Sequence, residues 1–398
     1  MKCRLGHAGL VVAWTLFFGA CAGAAGESPV KAALEPYVAS NWLAGAVAVV
    51  VGPEGVISHD AVGYADLSAK KAMKEDALVW IASMTKSFTA AALMMLADEG
   101  KVKLDDPVSK YIPQLDNLWV IDKAEKDTLV LKRQARPITL RHLLSHTSGL
   151  PFLTPMLSDD LASMPLDQQV QSFTMNPLEF QPGEGYRYSN EGINTVGRVI
   201  EIASGMPYDT FLQTRLFDPL GMRDTTFFPT SRQLRRLAKP YGTDKEKSGL
   251  VETTLPYMKP PFDRPGRYPE PGGGLFSTGA DLARFCQMLL NGGVHKGKRL
   301  LSETALAELT RIQTGQPNQK YGLGFAVDQD GHGAFGHGGA AGTKMTVYPE
   351  RGLALVWLVQ VRGGYPGRGG DAQAAFNDAA FKLTPQTCAA RSGAVSQP

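Results

Sequence analysis

Ser83 and Lys86 stand three residues apart in the run IASMTKSFTAAALMML (81–96), where Lys86 is the one charge among sixteen residues. On a helix, positions three and four apart share a face, so the hydroxyl and the amine meet. The surrounding residues are apolar on every side, which marks a buried helix. Burial without a partner is costly for an ammonium and lowers its pKa toward neutrality. A serine beside such an amine has the makings of an activated nucleophile. Two plainer readings compete. Ser83 would serve as an N-cap, but a capping box asks for Glu or Gln three residues on, and Lys has the wrong sign for the positive end of the helix dipole. Alternatively, Lys86 reaches out to the surface from a partly exposed helix. Other segments therefore decide. Tyr188-Ser189-Asn190 follows a Pro182-Gly183 turn and precedes a helix, His337-Gly338-Gly339 enters a strand, and ITLRHLLSHTSGLP (138–151) reads as a short helix stopped by Gly149. Tyr188 as a packing tyrosine and Asn190 as a plain N-cap remain open at this point.

Two further patterns carry no chemistry. His142 and His146 have the i, i+4 spacing of a zinc pair, but the residues between them supply no glutamate base. The G-x-G-x-x-G match at 331–336 leads into a strand instead of opening a helix, so it implies no dinucleotide site.

The elements that must position these residues follow from periodicity. An amphipathic helix is expected over 28–42. GAVAVVVG and VISHDAVGYAD read as two strands of a hairpin turning at 53–55. Helical signals dominate from 81 to about 291. The strands YGLGFAVDQDG, GTKMTVYPERG and LALVWLVQV follow, then a last helix over 371–381. Strands at both ends enclosing a helical middle predict an α/β chain of the α+β type. One antiparallel sheet, flanked by helices from both chain ends, carries an inserted, mainly helical domain. The expected division is 26–80 with 285–383 for the sheet domain, 81–284 for the helical domain and 384–398 for a frayed tail. Residues 255–274 hold six prolines and must form an extended loop of the sort that borders active sites.

The chain of 398 residues is long enough for one large or two intimately packed domains. Lys2 and Arg4, the apolar stretch 8–22 and the small residues near Ala22 and Ala24 make residues 1–25 a secretory signal peptide. An exported, periplasmic or secreted protein is expected. A lipoprotein reading, with Cys21 lipidated and the protein membrane-anchored, is the minority alternative. Removing Lys2 and Arg4 from the net charge of +3 leaves about +1, which argues against a nucleic-acid or anionic-membrane partner. Cys286 aligns with Leu282, Leu289 and Leu290 and reads as a buried hydrophobe, and no Cys spacing suggests zinc or disulfides.

Taken in order, Ser83-Met84-Thr85-Lys86, LLSHTSGL, Tyr188-Ser189-Asn190, GGGLFSTGADLARF (272–285) and His337-Gly338-Gly339 resemble the penicillin-recognising serine hydrolase family. The wider group is marked by Ser-x-x-Lys, Ser-Asp-Asn and Lys-Thr-Gly elements. The Tyr-x-Asn form here is that of class C β-lactamases, D-alanyl-D-peptidases and related esterases. The resemblance spans roughly 28–381. It implies an acyl-enzyme on Ser83 with Lys86 sharing its proton. It also implies Tyr188 as partner base, made more acidic by the nearby ammonium. Asn190 is expected to bond the substrate amide or Lys86. The backbone N–H groups of Ser83 and Ala340 are expected to form the oxyanion hole, with Gly338 and Gly339 letting substrate approach the strand. No cofactor is implied. His337 replaces the lysine of the β-lactamases. A largely neutral imidazole attracts a carboxylate weakly, so small uncharged esters or amides are the expected substrates. A D-alanyl-D-peptidase or β-lactamase acting on a short peptide or a β-lactam is the alternative, and a non-turnover sensor or binding module ranks below both. The oligomeric state is left open.

Overall fold

Strands from the two chain ends meet in one sheet. The computed structural model describes residues 28–244, 246, 248–315, 319–328 and 333–383. The expected signal peptide, Cys21 and the tail 384–398 lie outside the described residues, as do Gly331 and His332. Helix α1 (Pro29–Ala39) leads into the hairpin of β1 (Gly45–Gly52) and β2 (Gly55–Asp66). The short strands β3 (Lys71–Ala72) and β4 (Val79–Trp80) follow. A 3₁₀ turn, Ala82–Met84, runs directly into α2 (Thr85–Asp98). The middle of the chain supplies a hairpin, β5 (Trp119–Glu125) and β6 (Thr128–Arg133). It also supplies α3 (Leu140–Leu144), α4 (Leu166–Phe173) and α5 (Asn190–Ser204). β7 (Phe276–Ser277) pairs with β4, and α6 (Gly279–Leu290) follows. The last third contributes β8 (Ala326–Val327), β9 (Phe335–Gly338), β10 (Lys344–Tyr348), β11 (Leu353–Leu358) and α7 (Ala372–Lys382).

The sheet runs β8-β9-β10-β11-β1-β2-β3 with antiparallel neighbours throughout. β1 explains why it forms from both ends of the chain. All eight of its residues are buried, so it needs a partner on each edge and cover on each face. Val47, Val49 and Val51 point into the main core beneath α6. Ala46, Ala48 and Val50 point to the opposite side, where α1 and α7 pack with Leu353, Leu355 and Trp357. The fold class, with one antiparallel sheet built from both chain ends, thus agrees with expectation. One boundary does not: the expected division at residue 285 would cut α6, which packs whole against β1, β10 and β11.

The helical middle also holds a hairpin that was not expected. β6 is exposed along all six residues, and β5 is exposed at most positions. With both faces wet there is no alternation of apolar and polar residues to betray a strand. The short helix in 138–151 ends at Leu144, not at Gly149, because Ser145 caps it and His146 adopts φ 61°. The proline-rich segment is an extended loop as expected, with no helix or strand between Leu250–Glu252 and β7.

Candidate active site

Within the buried run 77–96, Ser83 is the single residue with partial exposure. The backbone accounts for this. Ala82 has φ 47°, a left-handed conformation costly for a residue with a Cβ, and it turns the chain sharply from β4 into the 3₁₀ turn. The serine is thereby presented at the head of α2, on the wall of a cavity of about 810 Å³.

Lys86 lies one turn further on and is 0% exposed. Its Nζ is 3.2 Å from Ser83 Oγ, 2.6 Å from Asn190 Oδ1 and 2.5 Å from the Gly272 carbonyl oxygen. Asn190 Oδ1 and the carbonyl are acceptors only, so the amine donates to both. Its third position faces the one group that can also donate, the serine hydroxyl. A neutral amine fits this set with its lone pair on Ser83. Burial lowers the Lys86 pKa to about 7, against a smaller upward pull from the Glu270 carboxylate. The snorkelling alternative is therefore excluded, and so is Asn190 as the cap of α5. Ser189 caps that helix by accepting from the Gly192 N–H, which frees the Asn190 side chain for Lys86.

Tyr188 is partly buried and lines the cavity together with Ser83, whose hydroxyl influences its phenol. The Lys86 Nζ sits 4.7 Å from its ring centroid. Contrary to expectation, its phenol is not made more acidic. Burial pushes its pKa up, outweighing the influence of Ser83. Tyr188 consequently enters as a neutral phenol, and Lys86 is the group poised to lose its proton near neutral pH.

The far wall is the end of β9. His337 lines the cavity but is 7% exposed. Its Nδ1 is 2.7 Å from the Gly338 carbonyl oxygen and its Nε2 is 2.9 Å from the Tyr321 hydroxyl. A carbonyl can only accept, which assigns the proton to Nδ1 and leaves Nε2 accepting from Tyr321. Burial first, and then the Lys86 charge, lower its pKa to about 3. The neutral imidazole agrees with expectation. Both ring nitrogens are engaged within the protein. Gly339 and Gly338 also differ from each other. A Cβ on Gly339 would stand 2.2 Å from Thr343 Oγ1 and 2.5 Å from the Ile81 carbonyl oxygen. On Gly338 it would meet only the Thr343 carbonyl oxygen, at 3.6 Å. Gly339 is thus required for the close docking of β9 against the serine turn. The backbone N–H groups of Ser83 and Ala340 both border the cavity, and neither has a backbone partner among the described residues.

Several further participants lie in segments the sequence marked only as a whole, Gly272 and Gly273 in the 272–285 motif and Tyr257 in the proline-rich stretch, while Phe152, Tyr321 and Lys344 gave no signal of their own. The carbonyls of Pro271, Gly272 and Gly273 accept in turn from Thr89, Lys86 and Trp80, which pins the glycine turn onto α2 and β4. Tyr321 and Phe152 add aromatic walls, and Tyr257 reaches the cavity from the proline-rich loop. Lys344 on β10, opposite Gly338, brings a cation to the cavity margin. The two expected decoys have structural roles. His142 Nδ1 accepts from the Thr139 N–H within a capping box, and His146 Nδ1 accepts from the Ser189 N–H while its ring packs tilted against Tyr188 with centroids 4.4 Å apart. Cys286 is a buried free thiol.

A family model described as Beta-lactamase matches residues 30–380. The chain belongs to the Beta-lactamase family. It is a serine hydrolase. Among curated relatives, Protein Rv1367c of Mycobacterium tuberculosis is 31% identical over 362 residues, 83% of this chain and 89% of that protein. Esterase EstB of Burkholderia gladioli is 28% identical over 375 residues, 85% of this chain and 91% of that protein. Among solved structures, EstCE1, a hydrolase with promiscuous acyltransferase activity, superposes with a TM-score of 0.75 at 24% identity, covering 89% of this chain and 97% of its own. Simvastatin synthase LovD from Aspergillus terreus gives 0.75 at 22% identity, covering 91% and 100%. At these identities the superpositions establish the fold that this Beta-lactamase family member shares.

Proposed function

We propose that this hydrolase cleaves small, uncharged esters through an acyl-enzyme on Ser83. The observation that carries the reading is the three-point cradle of Lys86, which satisfies two of its positions with obligate acceptors and leaves the third for the Ser83 hydroxyl. In acylation Ser83 Oγ forms a bond to the ester carbonyl carbon as its proton passes to Lys86 Nζ. The oxyanion is met by the N–H groups of Ser83 and Ala340. The C–O bond to the leaving alcohol then breaks, and the alkoxide takes a proton through the neutral Tyr188 phenol, which Lys86 replenishes. Water repeats the sequence in reverse to release the acid. EstB, an esterase by name, supports the ester class, as do the aromatic cavity walls. The engaged, uncharged His337 leaves the third-motif position without a cation for a β-lactam carboxylate. A fluorophosphonate probe should label Ser83, and hydrolysis of p-nitrophenyl butyrate should vanish in Ser83→Ala. Nitrocefin should turn over far more slowly than the ester. Label on another residue, or efficient nitrocefin hydrolysis, would overturn the reading.

One observation favours a second reading as a peptidase. Lys344 supplies a cation that the His337 position lacks, and a free carboxylate reaching the β10 margin would find it. Preferential cleavage of D-Ala-D-Ala peptides over esters, lost in Lys344→Ala, would select this reading. We further propose export, on the leader-like residues 1–25; an N-terminus still at Met1 in the native host would refute it.

A further inference from the structure

Joined to Lys86 through the Gly272 peptide and Asn194 lies a carboxyl group that the acyl-transfer steps do not touch. Glu270 is 0% exposed and precedes the Pro271-Gly272-Gly273-Gly274 turn. Its Oε1 accepts from Asn194 Nδ2 at 2.7 Å, and Asn194 Oδ1 accepts from the Gly272 N–H at 2.9 Å. The same Gly272 peptide offers its carbonyl oxygen to Lys86 Nζ. The Glu270 carbonyl oxygen receives the N–H groups of Gly273 and Gly274, which closes the turn on itself. A continuous chain therefore runs from Ser83 through Lys86, the Gly272 peptide and the Asn194 amide to Glu270. Gln169 braces it by accepting from the same Asn194 nitrogen at 2.9 Å. Each side chain beyond Lys86 in this chain is fully buried. In such a medium a charge acts over a distance at which water would screen it.

We propose that Glu270 is a positioning residue for acyl transfer: through Asn194 and the Gly272 peptide it holds Lys86 against Ser83, and its charge governs when Lys86 can accept the serine proton. The proposal rests on Lys86 acting as base. The charges facing the pair are few. Lys86 is faced by Glu270 from the glycine turn, by Tyr188 ahead of α5, by His146 beyond α3 and by His337 on β9. Glu270 is faced by Lys86, by Asp160 and by Tyr208, whose hydroxyl bonds Thr89. Both histidines are held neutral and both tyrosines protonated by burial. Lys86 and Glu270 are therefore the members whose charge changes near neutral pH, with burial raising Glu270 to about 7. An ionised Glu270 stabilises the Lys86 ammonium and delays its deprotonation as pH rises.

Glu270→Gln keeps an oxygen for Asn194 and removes only the charge. If the proposal holds, the acidic limb of kcat/KM for p-nitrophenyl butyrate moves to lower pH by about half a unit or more. A purely structural role would lower the rate uniformly without moving the limb. A folded Glu270→Gln enzyme with an unmoved limb overturns the proposal. If that variant yields no folded protein, the limb is read in Asn194→Ala, where loss of the hydrogen bond leaves Glu270 more protonated; a shift in the same direction is expected, and an unmoved limb overturns the proposal. Loss of turnover in Ser83→Ala with an unmoved limb overturns this proposal alone, whereas turnover persisting in Ser83→Ala overturns the acyl-enzyme reading as well.

Discussion

The proposed role of Lys86 as base rests on what it touches. Two of its three neighbours cannot donate, so losing a proton costs the network nothing except at Ser83. With a pKa lowered to about 7, the ammonium dominates below that pH and the free amine above it. Turnover of a neutral ester should therefore rise through pH 7 and level off at higher pH. A rate profile on p-nitrophenyl butyrate between pH 5 and 9 checks this, and a flat profile would contradict Lys86 as the base. Tyr188 works from the opposite side of its equilibrium. Its phenol is held protonated, which suits the proposed step in which it carries a proton to the departing alkoxide. Tyr188→Phe removes that hydroxyl and no packing surface. It should lower kcat by roughly 100-fold or more, the low end of general acid–base contributions, with little change in Tm. A variant that keeps near-normal kcat would mean that Lys86 and water suffice.

At the scale of elements, the site is a junction between the head of α2 and the end of β9, and the glycines there divide by function. Gly339 faces the Ile81 carbonyl and the Thr343 side chain at distances no Cβ tolerates, while a Cβ on Gly338 would make only an ordinary contact with the Thr343 carbonyl oxygen. Gly339→Ala must push β9 away from the serine turn. It should cost about 1–3 kcal/mol of stability, as overpacking does, and should reduce activity by displacing the Ala340 N–H. Gly338→Ala should change Tm little. Unfolding and turnover of the two variants side by side test the claim, and equal effects would refute it.

For the whole molecule, the buried carboxyls set how stability responds to pH. Glu191, in the first turn of α5, is fully buried, and neither of its oxygens finds a hydrogen-bond partner among the described residues. Burial, and secondarily the Glu179 charge, push it up to about 8 from an ordinary 4.5. Between those values the folded chain retains a proton that the unfolded chain releases, so stability falls as pH rises. Lys86 acts in the other direction, and only above about 7. There the folded amine is neutral while the unfolded one still holds its proton, up to the ordinary 10.5. Glu191→Gln cannot ionise. It should match wild type near pH 5 and gain on it by ~2 kcal/mol or more at pH 8. Urea unfolding at the two pH values measures the gain, and a difference that stays constant would refute it.

The sequence alone determined whatever depends on neighbours along the chain. Ser83 and Lys86 fall on one face because helical periodicity is local, and β1 and β2 form a hairpin because their turn lies between them. The joining of end strands into one sheet was also legible, since strand patterns at both chain ends enclose a helical middle. Other features depended on residues far away in sequence. The acceptors that cradle Lys86 lie 104 and 186 residues from it. The direction in which Tyr188 shifts, the engagement of both His337 nitrogens and the link from Lys86 to Glu270 were likewise settled by folding. Sequence spacing encodes direction along an element. Proton affinity reflects the sum of burial, charge and hydrogen bonding from every element packed around a group, and that sum exists only once the chain has folded.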